Sequence, residues 1–157
     1  MNGNSQPLEI AMDFIKRINA GDVNALCELM TDNHVFQDAL GKRFMGRETM
    51  RQGWTQFLKM VEDYQVHADE FFQTNERIAI FGTASGRYVG PRGAGAKAGN
   101  GAPTPAASQG VDSALGPNGF WEVPAAWRAT VQDEKIAEWR VYADNQPLRK
   151  LMGDVTP

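Results

Sequence analysis

The residues of this 157-residue chain best suited to chemistry gather around Asp38, in the run His34, Val35, Phe36, Gln37 and Asp38. The β-favouring residues suggest a short strand ending at Asp38, with its turn at 39–42. On such a strand Phe36 and Asp38 share a face. A carboxylate beside a large aromatic on an inward face is costly unless something uses its charge. Among Phe36, Trp54, Trp127 and Trp139 its charged form would be destabilised, which suits a general base working near neutrality. The same residue type also closes turns, accepting from backbone amides such as those of Leu40 or Gly41. Both roles remain open at this level.

A second feature is the strand expected over 77–88. Its even positions, Ile80, Gly82, Ala84, Gly86 and Tyr88, leave one face nearly without side chains at the middle. Glycine inside a strand marks either close approach by backbone or ligand, or a bulge with strong curvature. Tyr88 could bring a hydroxyl to a site at the end of this strand, or cap the sheet edge. Trp127 and Trp139 share a face of two strands joined at Asp133-Glu134, as walls for a flat apolar ligand or as plain core. Cys27, between Leu26 and Leu29, reads as a small core residue. His34 and His67 have no Cys, Asp or Glu at metal-ligand spacing, so no metal is expected. No glycine motif for cradling phosphate opens a helix.

The elements that must position these groups are legible from periodicity. Ser5 and Pro7 start a helix with Leu8, Ala11, Phe14, Ile15 and Ile18 on one stripe, closed at Ala20-Gly21. Asp22 caps a short second helix carrying Val23, Leu26, Leu29 and Met30. Asp32-Asn33 turns into the strand of Asp38. A third helix follows Gly46 with Met50, Trp54, Phe57, Leu58 and Val61. From Tyr64 the period becomes two, with strands expected over 64–72, 77–88, 120–132 and 136–144, and a brief helix after Asn145 and Pro147. Helices first and antiparallel strands afterwards describe an α+β domain with helices packed on one face of a curved sheet. Residues 90–119, mostly Gly, Ala, Pro, Ser and Asn, read as a flexible insertion, a surface excursion or a pocket lid.

Composition narrows the partners. With 16 basic against 19 acidic residues and no basic stripe, nucleic acid is not expected. No apolar run reaches the ~20 residues that span a bilayer, and the polar first residues lack a signal-peptide pattern. A single cysteine fits a reducing cytoplasm. The length fits one domain over 1–157.

Four stretches resemble a known family. They are Phe-Ile-Lys-Arg-Ile-Asn-Ala-Gly-Asp at 14–22, Thr-Asp-Asn-His-Val-Phe-Gln-Asp-Ala-Leu-Gly at 31–41, Gly-Arg-Glu-Thr-Met at 46–50 and Lys-Ile-Ala-Glu-Trp-Arg-Val-Tyr-Ala-Asp at 135–144. In order and spacing they resemble the SnoaL-like polyketide cyclases and the ketosteroid isomerases of the nuclear-transport-factor-2-like superfamily. The resemblance implies a cone-shaped α+β fold, its sheet and helices enclosing an apolar pocket, and homodimers paired through the outer sheet face. It implies no cofactor.

Carried over by residue, Asp38 falls where the isomerases hold their general base. Their oxyanion hole combines a tyrosine with a protonated aspartate. Those positions correspond here to Phe14 and to Trp127 or its neighbourhood, and a supporting tyrosine to Trp54. Losing one such donor typically costs ~10²–10³ in rate, which argues against steroid isomerisation by that mechanism. The epoxide-hydrolase branch resembles the 139–144 motif, but its expected aspartate is Val141 here. Polyketide cyclisation needs only one acid/base carboxylate in an apolar cavity, and Asp38 could meet that demand. The expected function is therefore acid/base chemistry on an apolar carbonyl compound, with Asp38 as proton shuttle and Phe14, Phe36, Trp54, Ala84, Tyr88, Trp127 and Trp139 around the ligand. The alternative is a non-catalytic binding or dimeric accessory domain of the same fold.

Overall fold

The computed structural model describes residues 6–90, 117–144 and 146–151. The expected insertion therefore falls, over 91–116, outside the described residues. Helix α1 (Pro7–Ala20) opens with Pro7 in its first turn and the Glu9 carboxylate accepting from the Gln6 N–H at 3.3 Å. Ala11, Phe14, Ile15 and Ile18 are buried, as the stripe predicts, while Leu8 is half-buried and Ile10, off the expected stripe, is buried as well. Gly21, at φ +72°, ends the helix in a conformation that side chains rarely adopt. Asp22 then caps α2 (Val23–Glu28), its carboxylate accepting from the Ala25 N–H at 3.0 Å.

Strand β1 (Met30–Gln37) begins earlier than expected: Asp32 and Asn33 lie within it, and Asp38 stands just beyond its end. Both fall where the strand's pairing breaks register, between Met30 and Val35, so an irregularity within the strand accommodates their turn preference. β1 pairs antiparallel with β2 (Arg43–Met45), a three-residue strand too short to leave a periodic signal. Helix α3 (Arg47–Met60) buries Met50 and Trp54. Val61, expected on that helix, instead opens β3 (Val61–Thr74), which continues into β4 (Arg77–Tyr88) through Asn75-Glu76. A short 3₁₀ turn, Pro117–Gly119, leads into β5 (Phe120–Gln132). Asp133 and Glu134, both at positive φ, form the two-residue hairpin turn to β6 (Lys135–Ala143). The last described element is α4 (Gln146–Leu151), its first N–H received by the Asp144 carboxylate at 3.0 Å.

The six strands form one curved, open sheet in the order β2-β1-β6-β5-β4-β3. It is mixed rather than wholly antiparallel, because β1 and β6 run parallel with Phe36 opposite Trp139. That pairing joins segments a hundred residues apart, beyond the reach of local pattern. α1 and α3 cover the inner face. Asn19 of α1 fixes the seam: its amide donates to the Val66 carbonyl (3.0 Å) and accepts from the Val66 N–H (2.7 Å), serving an edge of β3 that has no described strand beside it. No described helix is long and apolar enough to cross a membrane.

The small residues of β4 have separate explanations. A Cβ on Gly82 would stand 1.8 Å from the His67 carbonyl oxygen, beside a bulge in β3 between Ala68 and Glu70. A Cβ on Gly86 would stand 2.6 Å from Val61. Neighbouring chain, not ligand, occupies the space at both glycines.

Candidate active-site cavity

Beneath α3, at one end of the inner face, the sheet and helix leave a cavity of about 270 Å³. Register builds its floor. Phe44, Phe36 and Trp139 lie side by side across β2, β1 and β6, and Val141 and Ala143 continue along β6. Ala84 and Trp121 contribute from β4 and β5, and Met50, Gly53, Trp54 and Phe57 form the roof from α3. A larger, more open cleft of about 710 Å³ lies against the turns at Asn75 and Asp133. It has no aromatic lining and is remote from Asp38, so the smaller cavity is the candidate.

Asp38 lies at the rim, half-buried, and combines the two roles the sequence left open. Its Oδ1 accepts from the backbone N–H groups of Leu40 and Lys42, both at 2.9 Å. Its own N–H donates to the Lys42 carbonyl, and its carbonyl accepts from the Gly41 N–H, each at 2.9 Å. These four bonds hold the carboxylate in one orientation. Oδ2 takes no hydrogen bond among the described residues, and Asp38 is one of the residues that line the cavity. Asp38 is at once a turn residue and a cavity residue.

Of the side chains expected around the ligand, Phe36, Trp54, Ala84 and Trp139 line the cavity with Asp38. Phe14 and Trp127 do not. They are fully buried behind Trp139, Phe14 at 4.9 Å between ring centroids and Trp127 stacked at 6.4 Å. The helix stripe and strand face that carry them point inward as expected, but Trp139 stands between them and the hollow. Tyr88 is half-buried, pairs with Val61 on β3 and is not a lining residue.

Among the lining residues that the sequence did not nominate, such as Phe44, Thr49 and Trp121, the one that matters most chemically is Tyr64. It stands at a bulge between Glu62 and Gln65, where Asp63 adopts φ +54° and the side-chain alternation of β3 is reset. Its ring packs against Phe57 (5.1 Å, perpendicular), Trp54 (6.2 Å) and Trp121 (6.0 Å). Its hydroxyl makes no hydrogen bond among the described residues. Burial pushes the phenol well above its ordinary value, so it stays protonated and able to donate. Tyr64 and Thr49 are the only hydroxyls among the described lining residues. A run of aromatics in the sequence signals apolar packing, but not which hydroxyl faces a hollow.

His34 belongs to the packed region, not to the cavity. It is fully buried, its Nδ1 at 2.7 Å from the Ile136 carbonyl, and Nε2 has no partner among the described residues. Nδ1 must therefore carry the proton. Cys27 is buried too, and burial raises its thiol above the ordinary value, as suits a packing residue. No three His, Cys, Asp or Glu side chains among the described residues are grouped to hold a metal ion.

The SnoaL-like domain model matches residues 11–139, most of the chain. This chain belongs to the SnoaL-like domain family. Solved structures with this SnoaL-like fold include a putative SnoaL-like polyketide cyclase from Jannaschia sp. CCS1, at 12% identity and TM-score 0.71, covering 100% of this chain and 98% of that one. A ketosteroid-isomerase-like protein from Catenulispora acidiphila, in complex with trimethylamine, superposes at TM-score 0.68 with 20% identity, covering 95% and 98%. SalBIII, an epoxide hydrolase/cyclase-like enzyme of pyran ring formation in the polyether salinomycin, superposes at 0.66 with 19% identity, covering 92% and 95%. At these identities the likeness establishes the fold alone. No curated protein matches the chain.

Proposed function

We propose that this SnoaL-like protein is a small cofactor-independent enzyme that performs acid/base chemistry on an apolar carbonyl compound, with Asp38 as proton shuttle. The observation that carries the proposal is a half-buried carboxylate with one oxygen pinned by its own loop, at the rim of an aromatic-walled cavity. Asp38 Oδ2 takes a proton from the carbon beside the carbonyl. The C–H electron pair moves onto the carbonyl oxygen as an enolate, and the proton returns to carbon there or elsewhere. A positioned base of this kind contributes roughly 10²–10⁴-fold. Tyr64, kept neutral by burial, offers a hydroxyl for the oxygen. The structural likeness to cyclase and hydrolase/cyclase-like proteins supports a reaction of isomerase, cyclase or hydrolase type.

The test is hydrogen–deuterium exchange into 2-tetralone, a flat ketone with acidic α-hydrogens, followed by NMR in D₂O. The wild-type chain should accelerate exchange above buffer, and Asp38→Asn should return it to the buffer rate with its melting temperature held. Equal exchange by the two proteins removes Asp38 from the chemistry.

A second reading, a non-catalytic binding or dimeric accessory domain, is favoured by Phe14, Trp54 and Trp127 standing where the isomerases keep acids and hydroxyls. In that case a ligand binds saturably and leaves unchanged. Pairing of two copies through the outer sheet face fits either reading. Phe81, Ala126 and Tyr142 lie in one row across β4, β5 and β6, with Phe72 against Phe81 at 5.9 Å. Phe72, Phe81 and Tyr142 are all exposed, while the nearby charges of Arg128 and Glu138 are already paired at 2.9 Å. Light scattering should report twice the chain mass, falling to the single mass in Phe81→Glu; a wild-type monomer refutes the pairing.

A further inference from the structure

We propose that the cavity beneath α3 is a receptor for small organic cations, holding an alkylammonium group against its aromatic walls with Asp38 as counter-ion. This goes beyond the proposed acid/base activity, since it requires no proton transfer.

Charge comes first. Asp38 is the only formally charged side chain among the described lining residues, and no lysine, arginine or histidine lines the cavity. A carboxylate or phosphate ligand would find no cation there and would face an anion at the rim. A cation finds the reverse.

The walls agree with the charge. Phe36, Phe44, Trp54, Tyr64, Trp121 and Trp139 all contribute rings. An ammonium group within about 6 Å of an aromatic ring centroid, over its face, gains ~0.5–2 kcal/mol, more as water is excluded. Phe57 stands perpendicular to both Tyr64 (90°) and Trp54 (89°), so the roof rings interlock and the box is formed in advance of any ligand. At about 270 Å³ the cavity lies at the small end of ligand sites, which run from about 300 to 1,000 Å³, so the cation is a small one.

Lys42, which does not line the cavity, already sets its ammonium 5.1 Å from the centroid of the Phe44 ring, so a ring of this wall accepts a cation on a side away from the hollow. The anchoring of Asp38 completes the arrangement: two N–H groups occupy Oδ1, while Oδ2 carries no bond among the described residues and is left to face a bound cation.

The experiment compares two probes of one shape, choline and 3,3-dimethylbutan-1-ol, which differ by a quaternary nitrogen against a carbon. Binding to the full chain is read by tryptophan fluorescence, since Trp54, Trp121 and Trp139 line the cavity. Choline should bind about tenfold more tightly than the alcohol, equivalent to about 1.4 kcal/mol. Asp38→Asn, which keeps an Oδ1 acceptor for its loop, should remove most of that preference and leave the alcohol's affinity in place. An alcohol that binds as tightly as choline, or choline that shows no saturation, overturns the proposal on the wild-type protein alone. The two proposals fail separately. Choline preference without 2-tetralone exchange sinks only the catalytic one, and exchange without the preference sinks only this one.

Discussion

The two ends of the inner sheet face start from similar materials and finish differently. At the α1 end, β4 presents Ile78 and Ile80, β5 presents Trp127 and Ala129, and Phe14 closes over Trp139. At the α3 end β4 presents Ala84, and β6 presents Ala143, to a helix that carries Gly53 at its lining position. At the first end Phe14, Ile78, Ile80 and Trp127 are all fully buried, Phe14 lying directly over Trp139, and it is filled. Small residues face aromatics held apart by their own edge-to-face contacts at the second, and it is hollow. Aromatic content therefore does not distinguish a core from a site. What distinguishes them is whether small residues sit across from the rings.

Substitutions at the two ends should separate accordingly. The largest effect belongs to Phe14→Ala, which opens a void against Trp139 and His34; we expect a loss of ~3–5 kcal/mol in urea unfolding. A loss below 1 kcal/mol would mean that the filled end is not close-packed. Next comes a matched pair on the inner face. Ala129→Val, at a fully buried position beside Ile78, should cost about 1–3 kcal/mol by overpacking. Ala84→Val, which adds the same two methyl groups facing the hollow, should change stability by less than ~1 kcal/mol while weakening choline binding. Equal costs for the two would erase the distinction between the ends.

The smallest effect is a change of slope with pH. Burial, the larger cause, lowers the His34 pKa below its ordinary 6.5, against a smaller opposing contribution from the Ile136 carbonyl. The unfolded chain then takes up a proton that the native protein refuses. The stability contributed by the neutral ring is fully present above pH 6.5 and is lost as pH falls from there toward the native value. His34→Gln should flatten the dependence of unfolding free energy on pH between 7 and 5. A slope identical to wild type would place the acid sensitivity elsewhere.

Much of this was legible in the chain. The α1 stripe, the limits of β4 at Arg77 and Tyr88, the Asp133-Glu134 turn and the Asp22 cap all rest on chemistry within a few residues, and local chemistry travels with the sequence. Asp38 could be nominated for the same reason, since a carboxylate next to Phe36 conflicts with simple burial. Tertiary structure decided the rest. The parallel pairing of β1 with β6 aligned Phe36 and Trp139. The bulge at Asp63 turned Tyr64 inward. Trp139 screened Phe14 and Trp127 from the hollow that Ala84 and Gly53 left open. A sequence states which side chains are large, polar or small. Only the meeting of distant segments determines which of them face one another, and a cavity is a property of that meeting alone.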